Sequence, residues 1–149
     1  MINTKQGAWL LAILGLIMVI LLGILFFVPA KFPEEKSVTG VQGLTIFSLR
    51  PNQEISSPLK ITGAVNGNGW AGFEGQVGTV ALLDNSGKSI ASAPLTATTD
   101  WMKFPASFEA NLDFKSDVPQ SGTLVFHNEN PSDMRDKDRT FVLPVILQP

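Results

Sequence analysis

The sequence predicts an all-β sandwich standing behind one transmembrane α-helix. Three observations carry this reading. After residue 43, apolar side chains alternate with polar ones, the period of a half-buried strand, and helical spacing of apolar residues is missing. Clusters of Gly, Pro, Asn, Asp and Ser punctuate that alternation at short intervals. Before residue 43 stands Ala8 to Val28, a run of 21 residues without a charge. As a helix at ~1.5 Å per residue that run is about 31 Å long, close to the ~30 Å hydrocarbon core of a bilayer.

In chain order, residues 1–7 form a short tail and 8–28 the span. The span is apolar all round, unlike an amphipathic core helix. It also exceeds the ~7–15 apolar residues of an ordinary signal peptide. A cleaved signal stays open as the alternative, because Val28-Pro29-Ala30 has small or branched residues where a signal peptidase reads. Lys5 on one side and Lys31 and Lys36 on the other do not decide the orientation. A short tail is easiest to leave in the cytoplasm, which puts the C-terminal part outside the cytoplasmic membrane. Trp9 at one interface and Phe26, Phe27 and Phe32 at the other suit aromatic belts. Residues 29–43, with Pro33, two glutamates and two glycines, read as a linker.

Residues 44–149 read as one domain, long enough to bury its own core. Seven strands are predicted: Leu44–Leu49, Leu59–Val65, Val77–Leu83, Ser89–Ala97, Phe108–Phe114, Thr123–His127 and Phe141–Leu147. In the second, Leu59, Ile61 and Val65 are apolar while Lys60 and Thr62 are polar; in the fifth the alternation is complete. In the last, residues 141, 143, 145 and 147 make an inward face. Pro144 lies opposite and has no amide to donate, the mark of an edge strand. Arg50-Pro51-Asn52, Asp84-Asn85-Ser86-Gly87-Lys88 and Pro119-Gln120-Ser121-Gly122 supply turns. About seven short strands in a domain of this size point to an immunoglobulin-like β-sandwich.

Composition narrows the function. From Ser37 onward there are eleven acidic and eight basic residues, a balance of −3. That surface offers no electrostatic footprint for nucleic acid and no polybasic patch for anionic lipid. Cys is absent, which excludes disulfides, thiolate metal sites and a Cys nucleophile. His127 is the single histidine and lies on the strand face opposite Leu124 and Phe126; it reads as a structural strand residue, with no second His or Cys to build a site beside it. Asn128, Glu129, Asn130 and Asp133 bring four side-chain oxygens close together, but Pro131 breaks the spacing of a calcium loop and they read as a capped turn. No carboxylate pair stands out as general acid and base. The expectation is a protein with no catalytic residue, no metal and no cofactor.

Loop aromatics are more informative. Trp70, Phe73 and the adjacent Glu74 follow the glycine-rich run Asn66-Gly67-Asn68-Gly69, and Trp101 follows Thr98-Thr99-Asp100. Such side chains anchor a protein partner or stack on a sugar; alternatively they fold back and plug one end of the sandwich. Together with Asn128 and Asn130 they form the candidate interaction surface.

Residues 44–147 also carry a series of short motifs in order. They are Ser57-Pro58-Leu59-Lys60-Ile61-Thr62-Gly63, Trp70 with Phe73-Glu74, Asp84 with Gly87, Asp100-Trp101-Met102, Gly122-Thr123-Leu124, Asn128-Glu129-Asn130-Pro131-Ser132 and Leu143-Pro144-Val145. This series resembles the immunoglobulin-like domain of bacterial spore germination proteins. Trp70 and Glu74 stand one residue farther apart than in that pattern, and Asp133 replaces a glycine after the Asn-Pro-Ser turn. The resemblance implies an immunoglobulin-like module displayed outside the cytoplasmic membrane. A role in spores does not follow from it, since no germination partner domain is present. The expected partners are the bilayer through residues 8–28 and an envelope protein. A glycan such as peptidoglycan is the alternative ligand, and a structural spacer the alternative role.

Overall fold

The computed structural model describes residues 13–18, 39–132 and 134–149. Two units divide the chain, Met1–Lys36 and Ser37–Pro149. In the first, residues 13–18 are helical, with Ile13, Leu14, Leu16, Ile17 and Met18 exposed. Among the described residues no helix is long and apolar enough to cross a membrane. The span predicted over Ala8 to Val28 lies outside the described residues except for 13–18.

Among the described residues the second unit holds nine strands, two more than predicted. They are β1 (Thr39–Val41), β2 (Leu44–Ile46), β3 (Gln53–Ile55), β4 (Leu59–Val65), β5 (Gln76–Leu83), β6 (Ser89–Ala97), β7 (Ala106–Leu112), β8 (Gln120–Asn128) and β9 (Thr140–Leu147), with a single 3-10 turn at Arg135–Lys137. The added strands β1 and β3 are three residues each, too short for alternation to show. β1 falls inside the predicted linker, where the Gln42-Gly43 turn folds it back onto β2. The predicted strand Leu44–Leu49 ends at Ile46, and the predicted Phe108–Phe114 runs instead from Ala106 to Leu112.

The strands follow the order β1-β2-β4-β7-β6-β5-β8-β9-β3. Neighbours are antiparallel except β3, which runs parallel to β9. β6 pairs with β5 along most of its length and passes to β7 at Thr96 and Ala97, so it links the two layers. The inward side chains form one core. Leu44, Ile61, Val65, Phe108 and Leu112 come from one layer, and Val80, Leu82, Leu124, Phe126, Leu143, Val145 and Leu147 from the other. Fully burying each such side chain contributes roughly 1.5–3 kcal/mol. Alternation along β4, β7, β8 and β9 is therefore the main determinant of the architecture.

The predicted inward face of β9 is present: Leu143, Val145 and Leu147 are buried, Phe141 is half-buried, and Pro144 is exposed on the other side. Its edge character is split. β3 covers Val145 to Leu147, while among the described residues nothing pairs with the outer edge before Pro144.

Register places the connections at two ends. Residues 66–75, 98–105 and 129–139, with the Gln42-Gly43 turn, lie at one end; residues 56–58, 84–88 and 113–119 lie at the other.

Candidate functional site

The first of these ends gathers all six residues of the predicted interaction surface. Trp70, Phe73 and Glu74 lie between β4 and β5, Trp101 between β6 and β7, and Asn128 and Asn130 at and beyond the end of β8. They share an end because β4, β6 and β8 run toward it and β5, β7 and β9 run away.

Their roles differ. Trp70 is fully buried and belongs to the core. It plugs this end from inside and leaves the exposed surface, as burial of its large ring favours. Its Nε1 is buried with no hydrogen-bond partner. Trp101 is half-buried and lies against Gly72, where a Cβ would come within 2.9 Å of the Trp101 Cβ. Phe73 and Glu74 are exposed. The Phe73 N–H donates to the Gln76 carbonyl at 2.7 Å and the Gln76 N–H returns to the Phe73 carbonyl at 2.9 Å, a tight turn with Glu74 at φ 50° and Gly75 at φ 84°.

Asn128 and Asn130 brace the loops. Asn128 Nδ2 donates to the Gly69 carbonyl at 2.7 Å and to the Lys137 carbonyl at 3.0 Å, and Oδ1 accepts from the Arg139 N–H at 2.8 Å. One side chain thereby ties residues 66–75 to residues 129–139. Asn130 Nδ2 donates to the Met134 carbonyl at 2.8 Å and to Asp138 Oδ1 at 2.6 Å, and Oδ1 accepts from Ser132 Oγ at 2.7 Å. Gln76 Nε2 donates to Glu129 across the same junction. Gly69, at φ 88°, leaves room for the Arg139 side chain, whose Nε and Cγ a Cβ there would strike at 2.8 and 2.9 Å. Arg139 Nη1 donates to the carbonyls of Asp136 and Asp138, each at 2.9 Å. A shallow cleft of about 300 Å³ lies among Gly69, Asn128, Asn130, Ser132, Lys137 and Arg139.

Residues 98–105 are held by Asp100. Its Oδ1 accepts from the Met102 N–H at 3.1 Å, and Lys103 Nζ lies 3.1 Å from its Oδ2. This turn pushes Met102 and Phe104 outward, 70% and 47% exposed. With Phe73 at 45% and Met134 at 52%, four large apolar side chains stand in solvent on three braced loops. Met102, Phe104 and Met134 were not among the predicted surface residues. The Asp100 turn, which aims two nearby side chains outward, is the signal that could have found the first two.

His127 is exposed, with Nδ1 3.1 Å from Thr140 Oγ1. Among the described residues no three His, Cys, Asp or Glu side chains gather where a metal would bind. Of the predicted oxygen cluster, Asn128 and Asn130 spend their side chains on loop bonds, and Asp133 lies outside the described residues.

A family model, the immunoglobulin-like domain of bacterial spore germination, matches residues 44–135. The chain belongs to this family. The match begins at β2 and ends in the 3-10 turn, so it takes in β2 to β8, with β1 before it and β9 after it. No curated protein and no solved structure matches the chain. Family membership accounts for the sandwich and for the motifs at its loop end.

Proposed function

We propose that this immunoglobulin-like domain is a non-catalytic protein-interaction module that engages an envelope protein through its loop end. The carrying observation is the set of Phe73, Met102, Phe104 and Met134, exposed together on loops that polar side chains hold from within. Exposed apolar side chains on a rigid frame bind without a large ordering cost. The charge-free run Ala8 to Val28 supports anchoring in the cytoplasmic membrane, and the short tail of residues 1–7 supports a domain on the outer side.

The test is site-specific photo-cross-linking of the full chain in cells. A photoreactive residue at Met102 should capture a discrete protein, and one at Val118, at the opposite end, should not. Equal capture at both positions counts against the reading, and capture at neither favours a spacer. A glycan module retains Phe73 and Trp101 only, because Trp70 is buried. Binding of soluble peptidoglycan fragments that is lost in Trp101→Ala but kept in Met102→Ser would favour it.

A further inference from the structure

A second surface lies where the sheet fails to close. β9 hydrogen-bonds to β8 through its odd-numbered residues, as the bond from the Asn128 N–H to the Arg139 carbonyl at 3.1 Å sets the phase. Its even-numbered residues face the other way. There the Asn52 N–H donates to the Pro144 carbonyl at 2.8 Å and the Gln148 N–H to the Ile55 carbonyl at 2.9 Å, so β3 satisfies the lower half. Above Pro144, the N–H and C=O of Val142 point to the same side, and no described strand meets them.

The facing edge belongs to β1. The Asn66 N–H donates to the Gly43 carbonyl and the Phe47 N–H to the Thr62 carbonyl, which turns Gly43, Thr45 and Phe47 toward β4. Leu44 and Ile46 therefore face β1 and meet Val41 and Thr39, leaving the N–H and C=O of Gly40 on the outer side. Between these two edges is a cleft of about 260 Å³ lined by Thr39, Gly40, Pro51 and residues Phe141 to Pro144. Thr39 is 5% exposed, and its Oγ1 is buried without a hydrogen-bond partner. A buried hydroxyl left unpaired costs about 1–3 kcal/mol.

We propose that this cleft takes up a short extended strand of another polypeptide, which pairs its backbone with Gly40 on one side and Val142 on the other. Two unpaired strand edges facing one slot call for backbone donors and acceptors, which an extended peptide supplies and a globular surface does not. The slot runs over Phe141 to Pro144, room for about four residues at ~3.3 Å each. A strand there has its inward side chain beside Thr39, Phe141 and Leu143, so a small hydroxyl- or amide-bearing residue flanked by apolar ones suits it. β1 and β9 run in opposite directions, so the guest is parallel to one and antiparallel to the other. This surface is separate from the loop end, and either can fail without the other.

The test titrates the isotopically labelled full chain with a capped peptide of alternating threonine and valine. Amide exchange and chemical shifts are followed by NMR. Gly40 and Val142 amides should exchange fast in the free chain and slow on addition of peptide, with shifts at Thr39. Val142→Pro removes the edge donor at the parity where Pro144 is already accommodated, and should weaken binding about tenfold. Thr39→Val should raise the unfolding midpoint and weaken the same binding. Should Val142→Pro not fold, a peptide N-methylated at alternate residues asks the same question from the guest, and it should not bind. Protected Gly40 and Val142 amides in the free chain, shifts confined to the loop end or absent, or retained binding by the N-methylated peptide would overturn the proposal.

Discussion

At one end of the sandwich, residues 66–75, 98–105 and 129–139 put Phe73, Met102, Phe104 and Met134 into solvent; at the other, residues 56–58, 84–88 and 113–119 expose Val118 alone among large apolar side chains. Both ends satisfy their backbone with side chains. At the far end the bonds are mostly local: Asp84 Oδ1 accepts from Ser86 Oγ at 2.6 Å and from the N–H groups of Ser86 and Lys88, and Ser116 Oγ donates to the Val118 carbonyl at 2.8 Å, while the Phe114 N–H donates across to Ser57 Oγ at 3.0 Å. At the loop end they cross between connections, with Asn128 reaching Gly69. Polar side chains turned inward to brace loops leave apolar ones to face water. That inversion costs solvation unless something covers it, and it distinguishes the loop end from the far one.

The comparison breaks most visibly at Trp70. If it holds the loop end from inside, Trp70→Ala should cost about 3–5 kcal/mol in urea unfolding, as large aromatic truncations in cores do. A cost near that of a surface change would mean the loops stand without it. Asn128→Ala should cost less, about 1–2 kcal/mol, because it leaves loop carbonyls and an N–H unpaired. Faster amide exchange at Arg139 would report the same loss locally.

The surface itself is tested without touching the fold. Phe73→Ser with Met102→Ser should leave stability within ~0.5 kcal/mol. Cross-linking from Phe104 should fall about tenfold, as loss of interface anchors predicts. Val118→Ser should change neither; an equal loss there would erase the distinction between the ends.

The smallest effect belongs to the far end. The Ser86 hydroxyl, with the backbone N–H groups of Lys88 and Ser86, holds the Asp84 carboxyl below its ordinary 3.8 against the opposing effect of desolvation. A carboxyl depressed in the folded state stabilises fully above its unfolded value, and that contribution is lost as pH falls through the folded value. Acid titration of stability should therefore show this loss only below about pH 4, and Asp84→Asn should remove it. A loss centred near neutral pH would assign it to another group.

Alternation in β4, β7, β8 and β9 was legible because each buries one face, and the side-chain period of two is written directly in the residues. β6 was also legible as a segment, though its small side chains Ala91, Ser92 and Ala93 gave no hint that it passes from one layer to the other. β1 and β3 were hidden, since three residues carry no period and their pairing depends on distant strands. The candidate surface was legible as a set of loops. It was not legible as a set of exposed side chains: Trp70 and Phe73 look alike in the sequence, yet one is sealed in the core and the other stands in solvent.

By itself the sequence determined the apolar run at its start, the all-β character, the faces of the long strands and the lack of Cys. Each depends on a residue and its near neighbours. Only the tertiary structure decided which aromatics are buried, that Asn128 and Asn130 brace loops, and that β1 and β9 leave a gap. Those outcomes depend on which strands stand side by side, and contacts between residues far apart in the chain are set by the joint packing of one core.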